Sequence, residues 1–281
     1  MASISTQFLA RLAASRGGEV RLKLGSKVAL LEICNNARAN AFTGAMMLEL
    51  RAALSKLEQW DGVGLVVCGQ PGGAGSGDGG GDIGHNFCAG MDLSLARDHL
   101  LTEEGDGKLM SRLMSDTLTR LGRLPLISIA CIEGAAVGGG AELATACDFR
   151  VLSRSAKLQF KHVQMGLTPG WGGLNRLMRI TGRREALRLL AWSEPLNAQE
   201  ALTRGLGDEL CADGTAEQHA RALLELLPSN SQAIRTTKDA IATLDDMDSA
   251  RAEAEHASFC SLWGGPENLR AFSPPEKPPS S

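Results

Sequence analysis

Phe87-Cys88-Ala89-Gly90-Met91-Asp92-Leu93 and Glu133-Gly134-Ala135-Ala136-Val137-Gly138-Gly139-Gly140-Ala141-Glu142-Leu143 decide the reading of this chain. In each, a buried strand runs into a turn of small residues and then into a predicted helix. Small residues let a bound molecule approach the backbone closely. The start of a helix leaves N–H groups unpaired and carries a partial positive charge. Either turn alone reads equally well as a packing turn. Facing each other, they would aim two N–H donors at one oxygen, and removing one such donor costs roughly 3 kcal/mol of transition-state stabilisation.

Outward from these turns, strand and helix signals alternate. Val20–Leu24 and Val28–Ile33 predict two short strands joined at Gly25-Ser26. Thr43 is placed to cap a helix whose apolar face is Met46, Met47, Leu50, Leu54 and Leu57, ending near Gln59. Val63–Cys68 reads as a continuous apolar strand. Leu109–Leu124 predicts a long helix ending at Leu124-Pro125; Leu126–Ile132 and Phe149–Leu152 predict strands. Gly134–Gly140 reads as turn throughout, with a helix over Ala141–Cys147. Arg183–Trp192 and Asn197–Arg204 predict helices, the second opened by a capping box of Asn197 and Glu200. Beyond Asp208, two or three more helices fall near Ala216–Leu227, Ser231–Leu244 and Met247–Leu262. This order predicts an α/β core followed by a helical C-terminal extension. Pro274–Pro279 reads as a disordered tail. Gly69–Gly84, with nine glycines in sixteen residues, reads as a flexible surface insertion. No GKS or GKT follows it to make a phosphate-cradling loop.

Composition narrows the function. The chain has 281 residues, 43% of them hydrophobic, enough for a sizeable core. A net charge of −3 gives no support to a nucleic-acid-coating role. Aromatic residues make up only 4%, with no Tyr, which argues against a stacking platform for single strands. The seven cysteines form no CxxC pair. They read as buried thiols of a reducing compartment, and their spacing offers no zinc site. No apolar run approaches the ~20 residues of a membrane span.

The strings FCAGMDL, EGAAVGGGAELATACDFR and MGLTPGWGGLNRL, in this order and spacing, resemble the enoyl-CoA hydratase/isomerase (crotonase) superfamily over about Val20–Asp208. The resemblance implies an α/β fold of the ClpP/crotonase-like type. A spiral of ββα units over 20–208 would be followed by C-terminal helices and tail over 209–281, in a single domain 1–281, assembled as a homotrimer or hexamer. The strings NAFTGAMMLEL, LTRLGRLPLIS, WGGLNRL and SLWGGPENL extend the likeness to the ethylmalonyl-CoA decarboxylase family. That family removes CO2 from ethylmalonyl-CoA and, less readily, methylmalonyl-CoA, as a cytosolic repair activity. Because this likeness begins near Phe8–Val20, residues 1–18 read as a short amphipathic helix of the mature chain rather than a mitochondrial presequence, which favours the cytoplasm over the mitochondrion.

Carried over position by position, the resemblance makes Met91 and Gly139 the oxyanion N–H donors. It makes Arg38, Ala39 and Ala41 part of the stretch beside the coenzyme A arm. Ala89, Gly90, Asp92, Leu93 and Ser94 would line the thioester and pantetheine; Asp92 also suits bracing its own turn. Trp171 would line the acyl pocket. Hydratases use two glutamates. The first is present as Glu142, which also suits capping its own helix. The second position holds His162, either a working residue or a satisfied half-buried histidine. With one carboxylate, water addition to an enoyl thioester is in doubt, since one group must take a proton and its partner deliver one. Glu142, if burial raises its pKa, or His162 would orient the departing carboxylate or protonate C2. An acyl-CoA thioester is the expected partner, coenzyme A arriving only as part of the substrate, with no metal or redox cofactor. The rival readings are an enoyl-CoA hydratase or isomerase, and a non-catalytic acyl-CoA-binding or assembly protein.

Overall fold

The computed structural model describes residues 5–70, 86–101, 105–228, 231–245 and 249–272. Past Gln70 the glycine-rich insertion lies outside the described residues, as does the proline-rich tail. The first helix, α1 (Thr6–Ala14), is capped by the Ser5 hydroxyl, which accepts from the Phe8 N–H at 3.2 Å. Phe8 and Leu12 bury one face of it against α2 (Gly44–Glu58). Thr43 caps α2 as its sequence predicts, accepting from the Met46 N–H.

The main sheet has six strands in the order β1-β2-β3-β4-β6-β9. They are β1 (Glu19–Lys23), β2 (Val28–Cys34), β3 (Gly64–Gly69), β4 (Ile127–Ile132), β6 (Phe149–Ser153) and β9 (Glu209–Cys211). The β1–β2 pair is antiparallel and every other neighbour is parallel. Alternation sends Leu31, Ile33, Leu65, Val67, Ala130, Ile132 and Leu152 to the larger core. Leu30, Val66, Cys68, Ile129, Cys131 and Val151 face the opposite way. That second face is covered by Ala216, Ala220 and Leu224 of α8 (Ala216–Glu225). A sheet covered on both sides explains why β3 and β4 read as unbroken apolar runs.

After β3 come a single turn, α3 (Leu93–Leu95), and the long α4 (Asp106–Arg123). Between β4 and β6 lie β5 (Ala135–Val137) and α5 (Gly139–Ala144). The stretch expected to be turn throughout therefore contains a strand. Its residues pair with β7 (Lys157–Gln159), which pairs with β8 (Leu196–Asn197) to form a second, three-stranded sheet. These strands are too short to show a period of two in sequence.

The helix expected from Arg183 begins ten residues earlier: α6 spans Gly173–Trp192, broken only at Gly182 (φ 77°). Asn197 and Glu200 form the anticipated capping box on α7 (Ala198–Thr203). Among the described residues the C-terminal extension adds α9 (Ser231–Asp245), α10 (Ser249–Leu262) and α11 (Pro266–Phe272) to α8, so four helices stand where two or three were expected. No helix among the described residues is long and apolar enough to cross a membrane.

Candidate active site

The two glycine turns meet. Cys88 bridges to β5, its N–H donating to the Ala135 carbonyl (3.0 Å) and its carbonyl accepting from the Val137 N–H (2.9 Å). On the other side the turn is stitched to Phe42, whose N–H donates to the Gly90 carbonyl (2.7 Å) and whose carbonyl accepts from the Asp92 N–H (2.9 Å). The Ala89 N–H donates to the Ala39 carbonyl (3.0 Å), tying in the loop that holds Arg38 and Ala41. Gly90 has φ +90°, and a Cβ there would lie 2.9 Å from both the Gly139 nitrogen and the Val137 carbonyl oxygen. Only glycine permits that approach.

Met91 follows Gly90, and Gly139 is the first residue of α5, with no carbonyl a turn earlier for its N–H. Among the described residues, neither the Met91 N–H nor the Gly139 N–H donates to an acceptor, while Cys88, Ala89, Gly90 and Asp92 all do. The Gly90 N–H donates to the Cys88 sulfur at 3.3 Å.

Arg38, Ala39, Ala41, Ala89, Gly90, Asp92, Leu93 and Ser94 share one neighbourhood. The Arg38 guanidinium donates to Asp92 at 3.0 Å, and the same Asp92 oxygen accepts from the N–H and hydroxyl of Ser94, both at 2.8 Å. Asp92 thus caps α3 and braces its turn, while half of the Leu93 surface is left exposed. The loop is locked from below by Asn40, whose side-chain amide donates to the carbonyls of Gln70 and Asn86. The Asn86 side chain in turn accepts from the Ala135 N–H, linking this loop to the second turn.

Glu142, on α5, is 1% exposed. Its carboxylate does not cap its own helix. It reaches across to the start of α6, accepting from the N–H groups of Trp171 and Gly173 (both 2.8 Å) and Gly170 (3.3 Å). Its fourth partner is His162 Nε2 at 2.9 Å. Burial is the strongest single influence on this carboxyl and pushes its pKa up. The His162 hydrogen bond and charge, the Arg176 guanidinium and the Gly173 N–H together outweigh it, so the carboxyl is held below its ordinary range. The condition under which Glu142 would deliver a proton, a carboxyl raised by burial, is therefore not met. His162 Nδ1 is buried without a protein partner among the described residues.

Trp171 walls the space beside Gly139. A Cβ on Gly139 would meet the indole ring at 2.6 Å. Phe42 stands edge-on to that ring (centroids 6.0 Å apart), and the indole N–H donates to the Met110 sulfur at 3.3 Å. A separate cleft of about 840 Å³ opens behind α6, lined by Asp148, Asn175, Arg176, Lys238 and Glu253 among others. None of the residues expected to hold the thioester or to act on it lines this cleft.

Sequence reasoning missed Phe42, Arg176 and Glu255. Arg176 is half-buried, donating to the carbonyls of Trp171 (2.8 Å) and Glu142 (3.3 Å). Glu255, on α10, accepts from the N–H groups of Leu174 and Asn175, both at 2.9 Å. The glycine pair 172–173 gives no sign of the helix start that follows it.

Comparison with known proteins identifies the family. A family model described as enoyl-CoA hydratase/isomerase matches residues 23–263. The chain is 39% identical to ethylmalonyl-CoA decarboxylase of Gallus gallus, over 93% of this chain and 85% of that protein. It is equally identical to the Xenopus tropicalis protein of the same name, over 94% and 85%. Among solved structures, an enoyl-CoA hydratase from Bacillus anthracis superposes with a TM-score of 0.71 at 26% identity, covering 86% of this chain and 89% of that one.

Proposed function

The chain belongs to the enoyl-CoA hydratase/isomerase (crotonase) family, and on that premise we propose that it is an acyl-coenzyme A decarboxylase, releasing CO2 from ethylmalonyl-CoA and methylmalonyl-CoA through a thioester enolate. The observation that carries this reading is the Glu142–His162 pair. Adding water across a double bond asks for one group to take a proton and another to return one. Here the single carboxylate is occupied by four hydrogen bonds and held ionised, and its partner is an imidazole. Relatives with 39% identity carry the decarboxylase name.

In this mechanism the thioester oxygen sits between the N–H groups of Met91 and Gly139. The bond from C2 to the departing carboxylate stands perpendicular to the thioester plane. As it breaks, its electron pair enters the π system, the oxygen becomes an enolate oxygen, and CO2 leaves neutral. The apolar wall of Trp171 and Phe42 favours that loss of charge, because poor hydration does not hold the carboxylate in its ionised state. Tight ion pairing of the same group would stabilise the starting material and slow the step. His162, entering the step with a proton on each ring nitrogen, then delivers the Nδ1 proton to C2, completing butyryl-CoA or propionyl-CoA, and takes up a replacement proton from water. Ionised Glu142, bound to Nε2–H throughout, fixes which ring nitrogen faces the carbon.

The test is incubation with malonyl-, methylmalonyl-, ethylmalonyl- and crotonyl-CoA, with products identified by mass. Butyryl-CoA and CO2 from ethylmalonyl-CoA are expected. Robust hydration of crotonyl-CoA with no CO2 from any malonyl-type thioester overturns the reading.

A further inference from the structure

The start of α6 is held by two carboxylates, Glu142 from α5 and Glu255 from α10. Its first residue before the helix, Gly172, has no side chain to cap with. The N–H groups of residues 170, 171 and 173 go to Glu142, and those of Leu174 and Asn175 go to Glu255. Glu255 is 5% exposed. Burying a second anion beside the first is costly, whereas a neutral Ser or Asn cap meets the same donors at little expense. The cost is visible: burial, then the charge of Glu142, push the Glu255 carboxyl above its ordinary range. The half-buried Arg176 guanidinium feels the charge of both acids.

Two more residues of α10 address the same turn. The Ser111 hydroxyl on α4 donates to the Gly170 carbonyl (2.6 Å) and lies 3.3 Å from His256 Nδ1. The Phe259 ring fills the space a Cβ on Gly170 would need, 2.5 Å from that position. Glu255, His256 and Phe259 sit on one turn of α10, so the docking of this C-terminal helix and the setting of residues 170–175 are one packing event.

We propose that Glu255 is a positioning residue: from α10 it fixes the first turn of α6 so that the amides of residues 170, 171 and 173 meet Glu142, and through Glu142 it orients His162. This rests on the reading of Glu142 and His162 as the working pair. The C-terminal helices then become part of the catalytic apparatus, although no atom of α10 need touch the substrate. Displacing the turn by a fraction of an ångström rotates the imidazole away from C2 while leaving the thioester grip on Met91 and Gly139 intact.

The experiment compares Glu255→Gln, Glu255→Asp and, as a control on an exposed position of the same helix, Glu253→Gln. Steady-state CO2 release from ethylmalonyl-CoA is measured beside the ¹⁵N imidazole signals of His162 in the ligand-free protein. Glu255→Gln keeps one acceptor and loses the other. It should lower kcat about ten- to a hundredfold with KM within about twofold, and shift the His162 Nε2 signal. Glu255→Asp should restore part of kcat, and Glu253→Gln should match the wild type. Wild-type kcat and unmoved His162 signals in folded Glu255→Gln overturn the proposal. If that variant does not fold, wild-type kcat and signals in Glu255→Asp do the same. A wild-type protein that releases no CO2 defeats the proposed reaction, while the imidazole signals still decide the positioning role.

Discussion

Replacing Gly90 by Ala tests the meeting of the two turns. The residue has φ +90°, where an L side chain costs roughly 1–2 kcal/mol. The added methyl would sit 2.9 Å from two backbone atoms, the Gly139 nitrogen and the Val137 oxygen, neither of which can swing aside. Overpacking of that kind costs about 1–3 kcal/mol. The two effects give a destabilisation of about 2–5 kcal/mol. Relief comes only by parting the turns, which spreads the Met91 and Gly139 amides. Losing one of two oxyanion donors lowers kcat on the order of 10²–10³-fold. The control is Gly214→Ala, at φ +78° in the turn before α8, where nothing lies within 4 Å. It carries the backbone strain without the collision and should lose about 1–2 kcal/mol with unchanged kcat. Urea unfolding and CO2 release from ethylmalonyl-CoA are measured on both variants. Folded Gly90→Ala with kcat within about threefold of wild type refutes the argument that the turns act together.

Three other changes separate chemistry from stability. His162→Ala removes the proton donor but no oxyanion contact, so kcat should fall about 10²–10⁴-fold while binding of a non-reactive acyl-CoA, followed by calorimetry, stays near wild type. Glu142→Gln should flatten the acid limb of stability. The folded-state carboxyl ionises below its ordinary pKa, so between the two values the unfolded chain binds more protons. Wild-type stability is therefore full above the ordinary carboxylate range and declines as pH falls through the folded-state value, and urea midpoints across the acid range should show that slope in the wild type and less of it in the variant. Asn197→Ala removes one half of the capping box on α7 and should cost about 0.5–2 kcal/mol with no change in kcat.

What the sequence discloses depends on how local the physics is. Thr43 and the Asn197–Glu200 box are visible because a cap and its recipient lie three residues apart. The two glycine turns are visible because small residues are needed wherever backbone meets backbone, as Gly90 meets Gly139. His162 stands out because it replaces a residue the family pattern leads one to expect. Arg176 and Glu255 give no such sign: their contacts, from Arg176 to Glu142 and from Glu255 to Leu174 and Asn175, span tens of positions, and a lone charged side chain reads as a solvated one. The first half of α6 is hidden by Gly172, Gly173 and the break at Gly182, which interrupt its apolar period. The ionisation of Glu142 follows from four contacts made in three dimensions, and no spacing encodes it.

One of the seven cysteines gains a use from its position. Cys88 is fully buried where the first turn crosses β5, its sulfur accepting from the Gly90 N–H, and burial pushes its thiol up to about 12. An alkylating reagent has neither thiolate nor access there while the fold is closed. Its rate of labelling at this one sulfur, followed by mass spectrometry, is therefore a clock for how often the junction of the two turns breathes open, readable with no substrate present.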